Sequence, residues 1–578
     1  MSERRVSRRA GISAALLVLA LTGLAVRLTF LHILTDDKVR RAIDRGNQVE
    51  KKILAGRGSV CDCRGRDNLV ALNLAVKDVC VDPATIAASN AAPKVAATLS
   101  RMLGLPPRDV AAKMSRPERR CEYVQRFVPE DAAAAVLTRK LPGVFLKDET
   151  VRNYPHKNLM CHVLGFVNQE GIGSAGIEQA ADRYLRGSPG LIESRVNAMR
   201  QEVYEQRTLY VPPLEGSDVV LTIDQNLQHV VELVLDATMA QHHAKGAWAI
   251  VERVRTGEIL AMASRPCFDL NDYRTADSNA LMNRAVGYVY EPGSTLKAVA
   301  ISAALNEHTV NPDIVFDCEN GAWLYRGHIL RDYHPYDKLT VADGVKKSSN
   351  ILTAKVALTL GDERLHHYMR AFGIGERTGI ELPGEESGIL HPVKEWSGLS
   401  VTRVAIGQGV AVTALQMMGV FCAIANDGFL MKPYVIKRIA TRDGKVLVES
   451  RPQVISRPIT RETAAVMRRL LRRVTEDGGT GKRAGIEGYA VAGKTGTAQK
   501  PIPGGYSSSE NVASFVGFLP AEEPEIGIIV VVDTPQPEHT GGVVAAPAFA
   551  RIAEQAVRYM GVMPVEQMIA EHTVNRRN

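Results

Sequence analysis

An apolar run near the amino terminus constrains this chain most, because a membrane is the usual environment for an apolar segment of this length. The run extends from Gly11 to Leu34, with Arg27 near its far end, and four arginines lie among the first nine residues. It is long enough to cross a bilayer, and Arg27 can reach the interface. Arginines on the amino-terminal side favour a cytoplasmic amino terminus. We therefore expect a single-pass anchor at 11–34 after a cytoplasmic tail at 1–10.

A cleaved signal peptide is the alternative for this run. Against it, the run is longer than the apolar part of a signal peptide, and no Ala-x-Ala cleavage site follows before Asp36. We therefore favour an uncleaved anchor in the inner, cytoplasmic membrane, with everything after about residue 35 exported to the periplasm or cell exterior.

The net charge does not indicate a nucleic-acid-binding protein. The formal charge is +8 and the pI is near 9.0, but the basic residues are scattered and form no stripe interleaved with aromatic side chains. A mild positive balance suits an anionic membrane or wall surface equally well. We therefore predict no nucleic-acid partner.

The chain contains eight cysteines, which is unusual for an exported protein. No Cys-x-x-Cys pair or Cys/His ligand spacing is present, so we predict no metal site. A disulfide from Cys61 or Cys63 to Cys80 is one interpretation, and buried free thiols are the other.

The chain of 578 residues is long enough for two or three domains, and its pattern changes near residue 215. Before that point, 57–65 and 69–72 are typical of two strands around a glycine-containing turn, and 76–81 of a third strand. After it, early strands, a helical middle and late strands predict a sheet whose first and last strands meet, with helices on both faces. The predicted segments are 1–10, 11–34, 35–215, 216–560 and a carboxy-terminal tail at 561–578.

A possible nucleophile lies in the sequence Tyr290-Glu291-Pro292-Gly293-Ser294-Thr295-Leu296-Lys297. The Pro-Gly turn places Ser294 at the start of an apolar run that is typical of a buried helix. Lys297 would then lie one turn later on the same face, within reach of the serine hydroxyl. A lysine among apolar residues can lose enough charge to accept a proton from that hydroxyl. A lone Ser-x-x-Lys occurs often by chance and would mean little.

Two further motifs follow in the same predicted domain. Ser348-Ser349-Asn350 precedes an apolar helix that begins near Ile351, and Lys494-Thr495-Gly496-Thr497 follows the predicted strand 490–492. Found singly, Ser348 would be a helix cap and Lys494 part of a polar turn. Together and in this order, the three motifs are those of penicillin-recognising serine acyltransferases.

With these motifs the chain resembles the class B penicillin-binding proteins, the monofunctional peptidoglycan D,D-transpeptidases. The resemblance extends to the first domain, through Arg57-Gly58, Arg152 with Tyr154-Pro155, and Gly176 with Glu178. It implies a multi-domain α/β protein. A single transmembrane helix would precede an elongated α+β pedestal of the dimerisation type. The last domain would be a transpeptidase similar to β-lactamases, with a central antiparallel sheet flanked by helices.

The resemblance also implies a role for each motif residue. Ser294 would attack the penultimate D-Ala carbonyl, Lys297 would accept its proton, and Ser348 with Lys494 would pass a proton to the leaving amine. Asn350 would hold Lys297 and the substrate amide. Thr495, Gly496 and Thr497 would bind the substrate, with the two threonines on its terminal carboxylate. The backbone N–H groups of Ser294 and Thr497 would form the oxyanion hole.

One absent motif favours acyl transfer over hydrolysis. A major class of serine β-lactamases carries Glu-x-x-x-Asn between the second and third motifs, and no such sequence lies between Asn350 and Lys494. The copy at Glu307 and Asn311 falls before the second motif. We therefore expect a long-lived acyl-enzyme with β-lactams, although a β-lactam-hydrolysing or sensing protein and a non-catalytic scaffold remain alternatives.

Within class B, the chain looks most like the division-specific, septal type. Glu291-Pro292-Gly293 before the nucleophile, the moderate length and the lack of carboxy-terminal repeats favour this type. An elongation-specific enzyme is the alternative, because it shares the catalytic motifs. The resemblance implies peptidoglycan stem peptides and β-lactams as ligands. Its protein partners would be a polytopic glycosyltransferase of the shape, elongation and division (SEDS) family and other divisome proteins. It implies no metal and no organic cofactor.

Overall fold

The structure is a computed structural model, and it describes residues 3–33, 48–53, 55–196 and 202–564. The described chain forms two compact units. One unit comprises Met1–Ala55 with Gly187–Glu215, and the other comprises Gly56–Arg186 with Gly216–Asn578. Residues 34–47, after the predicted anchor, and most of the predicted carboxy-terminal tail at 561–578 lie outside the described residues.

Helices are numbered here in chain order. They are α1 (Glu3–Ile33), α2 (Pro83–Ala88), α3 (Ala92–Leu103), α4 (Pro107–Lys113), α5 (Glu130–Thr138), α6 (Cys161–Leu164), α7 (Gly176–Ala180), α8 (Asp182–Leu185), α9 (Gln225–His242), α10 (Arg284–Gly287), α11 (Lys297–Asn306), α12 (Val341–Lys347), α13 (Asn350–Leu360), α14 (Asp362–Ala371), α15 (Ser400–Val404), α16 (Ala414–Ala425), α17 (Arg461–Arg472) and α18 (Ala545–Met560).

Strands are numbered in the same way. They are β1 (Gln48–Ile53), β2 (Val60–Cys61), β3 (Leu69–Val81), β4 (Glu122–Pro129), β5 (Val144–Asn153), β6 (Gly190–Val196), β7 (Glu202–Val211), β8 (Asp218–Leu221), β9 (Gly246–Arg253), β10 (Ile259–Arg265), β11 (Val315–Asp317), β12 (Ala322–Tyr325), β13 (His328–Arg331), β14 (Lys338–Thr340), β15 (Leu430–Met431), β16 (Ile436–Ala440), β17 (Val446–Glu449), β18 (Val454–Ser456), β19 (Ala492–Ile502), β20 (Gly505–Leu519) and β21 (Ile526–Asp533).

The first unit contains the apolar amino-terminal helix α1 and a small sheet. Within α1, Ala10–Phe30 is long and apolar enough to cross a membrane, and the described part of the chain buries none of it. The finding supports a single-pass anchor. The sheet has the order β1-β6-β7, with antiparallel pairing throughout.

A seven-stranded sheet in the second unit joins strands from both sides of residue 215. Its order is β17-β16-β8-β2-β3-β4, and β5 also pairs with β3. The central pair, β2 and β8, is parallel, with Val60 opposite Val219. The predicted domain boundary at residue 215 thus falls between two strands of one sheet, and the boundary itself stays a prediction.

In the first domain the structure corrects one sequence-based prediction and decides between two interpretations of the cysteines. The strands expected at 69–72 and 76–81 are one continuous strand, β3, because β5 pairs with it from Leu72 to Val81 without a break. Of the two interpretations given for the cysteines, the structure has free thiols and no disulfide from Cys61 or Cys63 to Cys80: all eight cysteines are free. Cys80 instead lies beside Cys121. Strand β4 pairs Tyr123 with Cys80, and Cys121 precedes Tyr123 by two residues.

The three motifs that begin at Ser294, Ser348 and Lys494 lie around a five-stranded antiparallel sheet of order β10-β9-β21-β20-β19. The early strand β9 pairs with the late strand β21, as the sequence predicts. Alternate residues of β9 enter different cores: Ala247 and Ala249 pack with α9 and α18, whereas Trp248 and Ile250 pack with α11 and α16. The sheet is therefore covered by helices on both faces, and β19 forms one edge.

Candidate active site

The predicted nucleophile Ser294 lies in a tight turn at the edge of the five-stranded sheet. Gly293–Thr295 forms a 3₁₀ turn, and α11 begins at Lys297, so the serine precedes the helix by one short turn and does not open it. The turn rests on the backbone at Gly407, where an added Cβ would lie 2.1 Å from the Gly293 oxygen. Only glycine at position 407 permits this approach, and Gly293 N donates to Gly407 O at 3.2 Å.

Lys297 is buried beneath the nucleophile turn, with 3% of its surface exposed. Its Nζ donates to Asn350 Oδ1 at 2.7 Å, to the Ser348 carbonyl at 2.6 Å and to Ser348 Oγ at 3.2 Å. Within the described part of the chain, the Ser294 hydroxyl has no hydrogen-bond partner and lies free in the groove. The first and second motifs are therefore connected through the lysine amine.

The second motif is a turn between helices α12 and α13. Ser348 has φ of +60°, in the left-handed region that a non-glycine residue seldom adopts, so the turn holds strain. Ser349 is the N-cap of α13 and its hydroxyl accepts from Leu352 N at 3.0 Å. The helix-cap role that Ser348 would have in isolation thus belongs to Ser349, and Ser348 Oγ is free to contact both lysines.

The third motif lies within strand β19, whereas the sequence places it just after a strand. Lys494 is 1% exposed, and its Nζ donates to Ser348 Oγ at 2.7 Å. A Cβ added at Gly496 would lie 2.3 Å from Ser514 Oγ and 3.0 Å from the Pro292 oxygen, so the strand can pack on the nucleophile turn only with glycine there. Thr497 Oγ1 accepts from Gly541 N at 3.0 Å, which leaves its hydrogen available to a ligand.

The two lysines share Ser348 and affect each other electrostatically. Burial lowers the pKa of Lys297 to about 7, and the negative charge of Asp332 opposes this effect. Burial also lowers the pKa of Lys494 well below its ordinary value, and the charge of Lys297 lowers it further. Two buried ammonium groups bonded to one hydroxyl are unfavourable, so one of them is expected to be neutral near neutral pH.

A groove of about 650 Å³ opens above these residues. The predicted site residues that line it are Ser294, Ser348, Asn350, Thr495 and Thr497. Lys297 and Lys494 are buried below its floor and reach it through Ser348. The structure therefore brings the three motifs together, although they are up to 200 residues apart in the chain (Ser294 to Lys494).

Three groups at the site were not predicted from the sequence. Asp332 accepts hydrogen bonds from the second motif, Thr480 Oγ1 lies 2.9 Å from Thr495 Oγ1, and the Glu291 carboxylate accepts from Gly409 N at 2.9 Å. Glu291 lies two residues before the turn that contains Ser294, so its position in the sequence could have marked it as a candidate site residue. Asp332 and Thr480 lie in loops without periodicity or a motif, so no sequence pattern pointed to them.

Within the described ranges, no group of three or more His, Cys, Asp or Glu side chains is arranged to hold a metal ion. The prediction that the site uses neither metal nor organic cofactor stays a prediction.

Comparison with known proteins finds a matching protein family for each of two parts of the chain. Residues 247–554 match the family model of the penicillin-binding protein transpeptidase domain, and residues 52–221 match that of the penicillin-binding protein dimerisation domain. The chain is 34% identical over 457 residues to stage V sporulation protein D of Bacillus subtilis, covering 77% of this chain and 69% of the relative. It is 30% identical over 563 residues to the peptidoglycan D,D-transpeptidase FtsI of Escherichia coli, covering 97% and 93%.

Solved structures agree with these sequence matches. Penicillin-binding protein 3 of Mycobacterium tuberculosis in complex with aztreonam is similar with a TM-score of 0.70 and 29% identity, over 89% of this chain and 98% of that one. A peptidoglycan synthetase from Bifidobacterium adolescentis gives a TM-score of 0.73 and 26% identity, over 89% and 97%.

Proposed function

The chain belongs to the class B penicillin-binding proteins, in which a dimerisation domain precedes a transpeptidase domain, and from this premise we propose that it cross-links peptidoglycan through an acyl-enzyme on Ser294. It is a serine-type peptidoglycan D,D-transpeptidase that binds β-lactams. The observation that carries the detailed mechanism is the hydrogen-bonded set of Lys297, Ser348, Asn350 and Lys494 directly beneath the groove.

Acylation begins when Ser294 Oγ attacks the carbonyl of the penultimate D-Ala of a stem peptide. The hydroxyl proton passes to Lys297, which can be neutral because burial lowers its pKa to about 7. The backbone N–H groups of Ser294 and Thr497 stabilise the oxyanion of the tetrahedral intermediate. Removing one such donor in other acyl-transfer enzymes costs about 3–4 kcal/mol.

The intermediate collapses when the C–N bond to the terminal D-Ala breaks. The leaving amine takes a proton through Ser348 Oγ, which accepts hydrogen bonds from both lysines. Before this step, the terminal carboxylate is bound by the hydroxyls of Thr495 and Thr497. Its negative charge raises the pKa of Lys494 again, so that Lys494 is protonated when substrate is present.

A stem-peptide amine from a second strand then attacks the acyl-enzyme and forms the cross-link. A β-lactam acylates the same serine, and its product stays on the enzyme because the deacylating Glu-x-x-x-Asn of the β-lactamases is missing between the second and third motifs.

Labelling with a fluorescent penicillin tests this function. Purified full-length protein should carry a stable covalent label, and Ser294→Ala should carry none. Ser278→Ala is the matched control, because Ser278 is exposed and outside the groove, and its labelling should equal that of the wild type. Rapid loss of label from the wild type would support the β-lactam-hydrolysing alternative. A folded wild type that takes up no label would leave only the non-catalytic scaffold.

We further propose the domain limits 35–215 for the pedestal and 216–560 for the transpeptidase domain. The dimerisation-domain match ends at residue 221 and the transpeptidase-domain match begins at residue 247, which supports a division close to this point. The amino terminus is proposed to be cytoplasmic and the catalytic domain extracytoplasmic, which the arginines before the apolar helix favour. Accessibility of engineered cysteines on either side of α1 to a membrane-impermeant reagent tests the orientation.

We propose the septal role over the elongation role, on the basis of the Glu291-Pro292-Gly293 sequence before the nucleophile. The glycan strands would then be supplied by a polytopic SEDS-family glycosyltransferase among other divisome proteins. A tagged protein should concentrate at the division site, and distribution along the lateral wall would support the elongation role.

A further inference from the structure

Asp332 lies directly after strand β13 and contacts the second motif with both carboxylate oxygens. Oδ1 accepts from Asn350 N at 2.5 Å and from Ile351 N at 3.0 Å, and Oδ2 accepts from Ser349 Oγ at 2.7 Å. The two backbone donors belong to the first turn of α13. An anion at this position is favoured by the helix dipole as well as by the hydrogen bonds.

These contacts hold Asn350 in place, and Asn350 in turn binds the Lys297 amine. Asn350 Oδ1 accepts from Lys297 Nζ at 2.7 Å, and Asn350 Nδ2 donates to the Arg331 carbonyl at 2.8 Å. Asp332 therefore holds the backbone of Asn350, while its neighbour Arg331 holds the side chain. The strained turn at Ser348, immediately before Ser349, is held in place by the same carboxylate.

Asp332 is also the anion that acts on the Lys297 amine. Its charge raises the pKa of Lys297, against the lowering effect of burial. The other titratable groups around this pair are Lys494 on β19, which is cationic or neutral, and the Cys318 and Tyr336 side chains near Asp332. Burial raises the pKa of both Cys318 and Tyr336, so neither adds negative charge near neutral pH.

We propose that Asp332 is a positioning residue of the acyl-transfer reaction, which fixes Ser348 and Asn350 around Lys297 and supplies a negative charge that acts on the lysine amine. The inference rests on the proposed function, because it assigns Lys297 the role of proton acceptor. Asp332 would thus have two effects: its hydrogen bonds place the Ser348–Asn350 turn, and its charge acts on Lys297. Different substitutions, at Asp332 and at Ser349, remove these two effects separately.

Asp332→Asn in the full-length protein removes the charge and keeps the shape and one acceptor oxygen. The measurement is the second-order rate constant of acylation by a fluorescent penicillin as a function of pH. Loss of the anion lowers the pKa of Lys297, so the lysine stays neutral to lower pH. The acid limb of the profile should therefore move to lower pH than in the wild type.

Ser349→Ala keeps the charge and removes one contact of the carboxylate. It should lower the acylation rate without moving the acid limb. Asp332→Ala removes both effects, and we expect a rate at least about tenfold lower, because small misplacements of reacting groups cost this much or more. Asp337→Asn is the matched control, since Asp337 is exposed in the same loop and makes no side-chain hydrogen bond within the described residues.

Two results would overturn the inference: an Asp332→Asn profile identical to that of the wild type, or an acid limb that moves equally in Ser349→Ala. Thermal unfolding of each variant shows whether it is folded. If Asp332→Asn does not fold, the pH profile of Ser349→Ala tests the proposal by itself. Ser349→Ala retains the Asp332 charge, so a shifted acid limb in this variant would contradict the proposal. Failure of the wild type to label would instead refute the proposed function.

Discussion

At the residue scale, the proposed catalytic chemistry depends on two buried lysines, Lys297 and Lys494, that both donate to Ser348 Oγ. The sequence identifies Lys297 and Lys494 through their motifs, and their contacts with Ser348 are consistent with the predicted roles. Asp332 could not be predicted in the same way. Its importance comes from a fold that brings the end of β13 against the start of α13, and no local pattern records that contact.

The pH dependence of acylation follows from the state of Lys297. Burial lowers its pKa to about 7, so the amine is neutral above this pH and protonated below it. Because a protonated lysine cannot accept the Ser294 proton, the acylation rate should fall about tenfold for each pH unit below the pKa. Stopped-flow acylation by a chromogenic β-lactam between about pH 5 and 8 measures this. A flat profile over that range would exclude Lys297 as the proton acceptor.

At the element scale, the sequence predicted the order of early strands, a helical middle and late strands in the transpeptidase domain, whereas the pairing of distant strands could not be predicted from it. Helix α16 has Thr413 as its N-cap, and Thr413 forms a capping box with Gln416. The Gln416 side chain also donates to the carbonyls of Glu376 and Ser387, which connects α16 to the loops beside it. The joining of two predicted strands into β3 depends on β5, a distant partner that local patterns cannot reveal.

Thr413→Ala should destabilise the protein without altering the chemistry. Loss of the cap on a fully buried helix end is expected to lower the free energy of unfolding by about 1–2 kcal/mol. Thr413→Ser keeps the hydroxyl and is the control. Thermal unfolding should show a lower Tm for the alanine variant only, with acylation rates of the folded proteins unchanged. An equal Tm for both variants would mean that the capping box contributes little.

At the scale of the whole molecule, the sequence predicted a boundary near residue 215, but it could not predict which strands would pair across that point. Strand β8 has β16 on one side and β2 on the other. Without residues 1–215, β8 would become an open sheet edge with unpaired backbone groups.

A chain that begins at residue 216 should therefore be less stable and more prone to aggregate than one that begins at residue 56. Thermal unfolding and gel filtration of the two truncated proteins test this, with the longer chain as the control for loss of the membrane anchor. Equal Tm values and equal monomer content would show that the contribution of β2 is small.

The parallel pairing of β2 with β8 also has a mechanical consequence. Backbone hydrogen bonds join the two strands side by side, including those from Val219 N to Ser59 O and from Cys63 N to Ile223 O, both 2.9 Å long. A force along either strand loads these bonds in shear, so that they share the load and do not break one after another. Tension applied to residues 56–186 would thus reach the catalytic domain directly, without a compliant linker to absorb it.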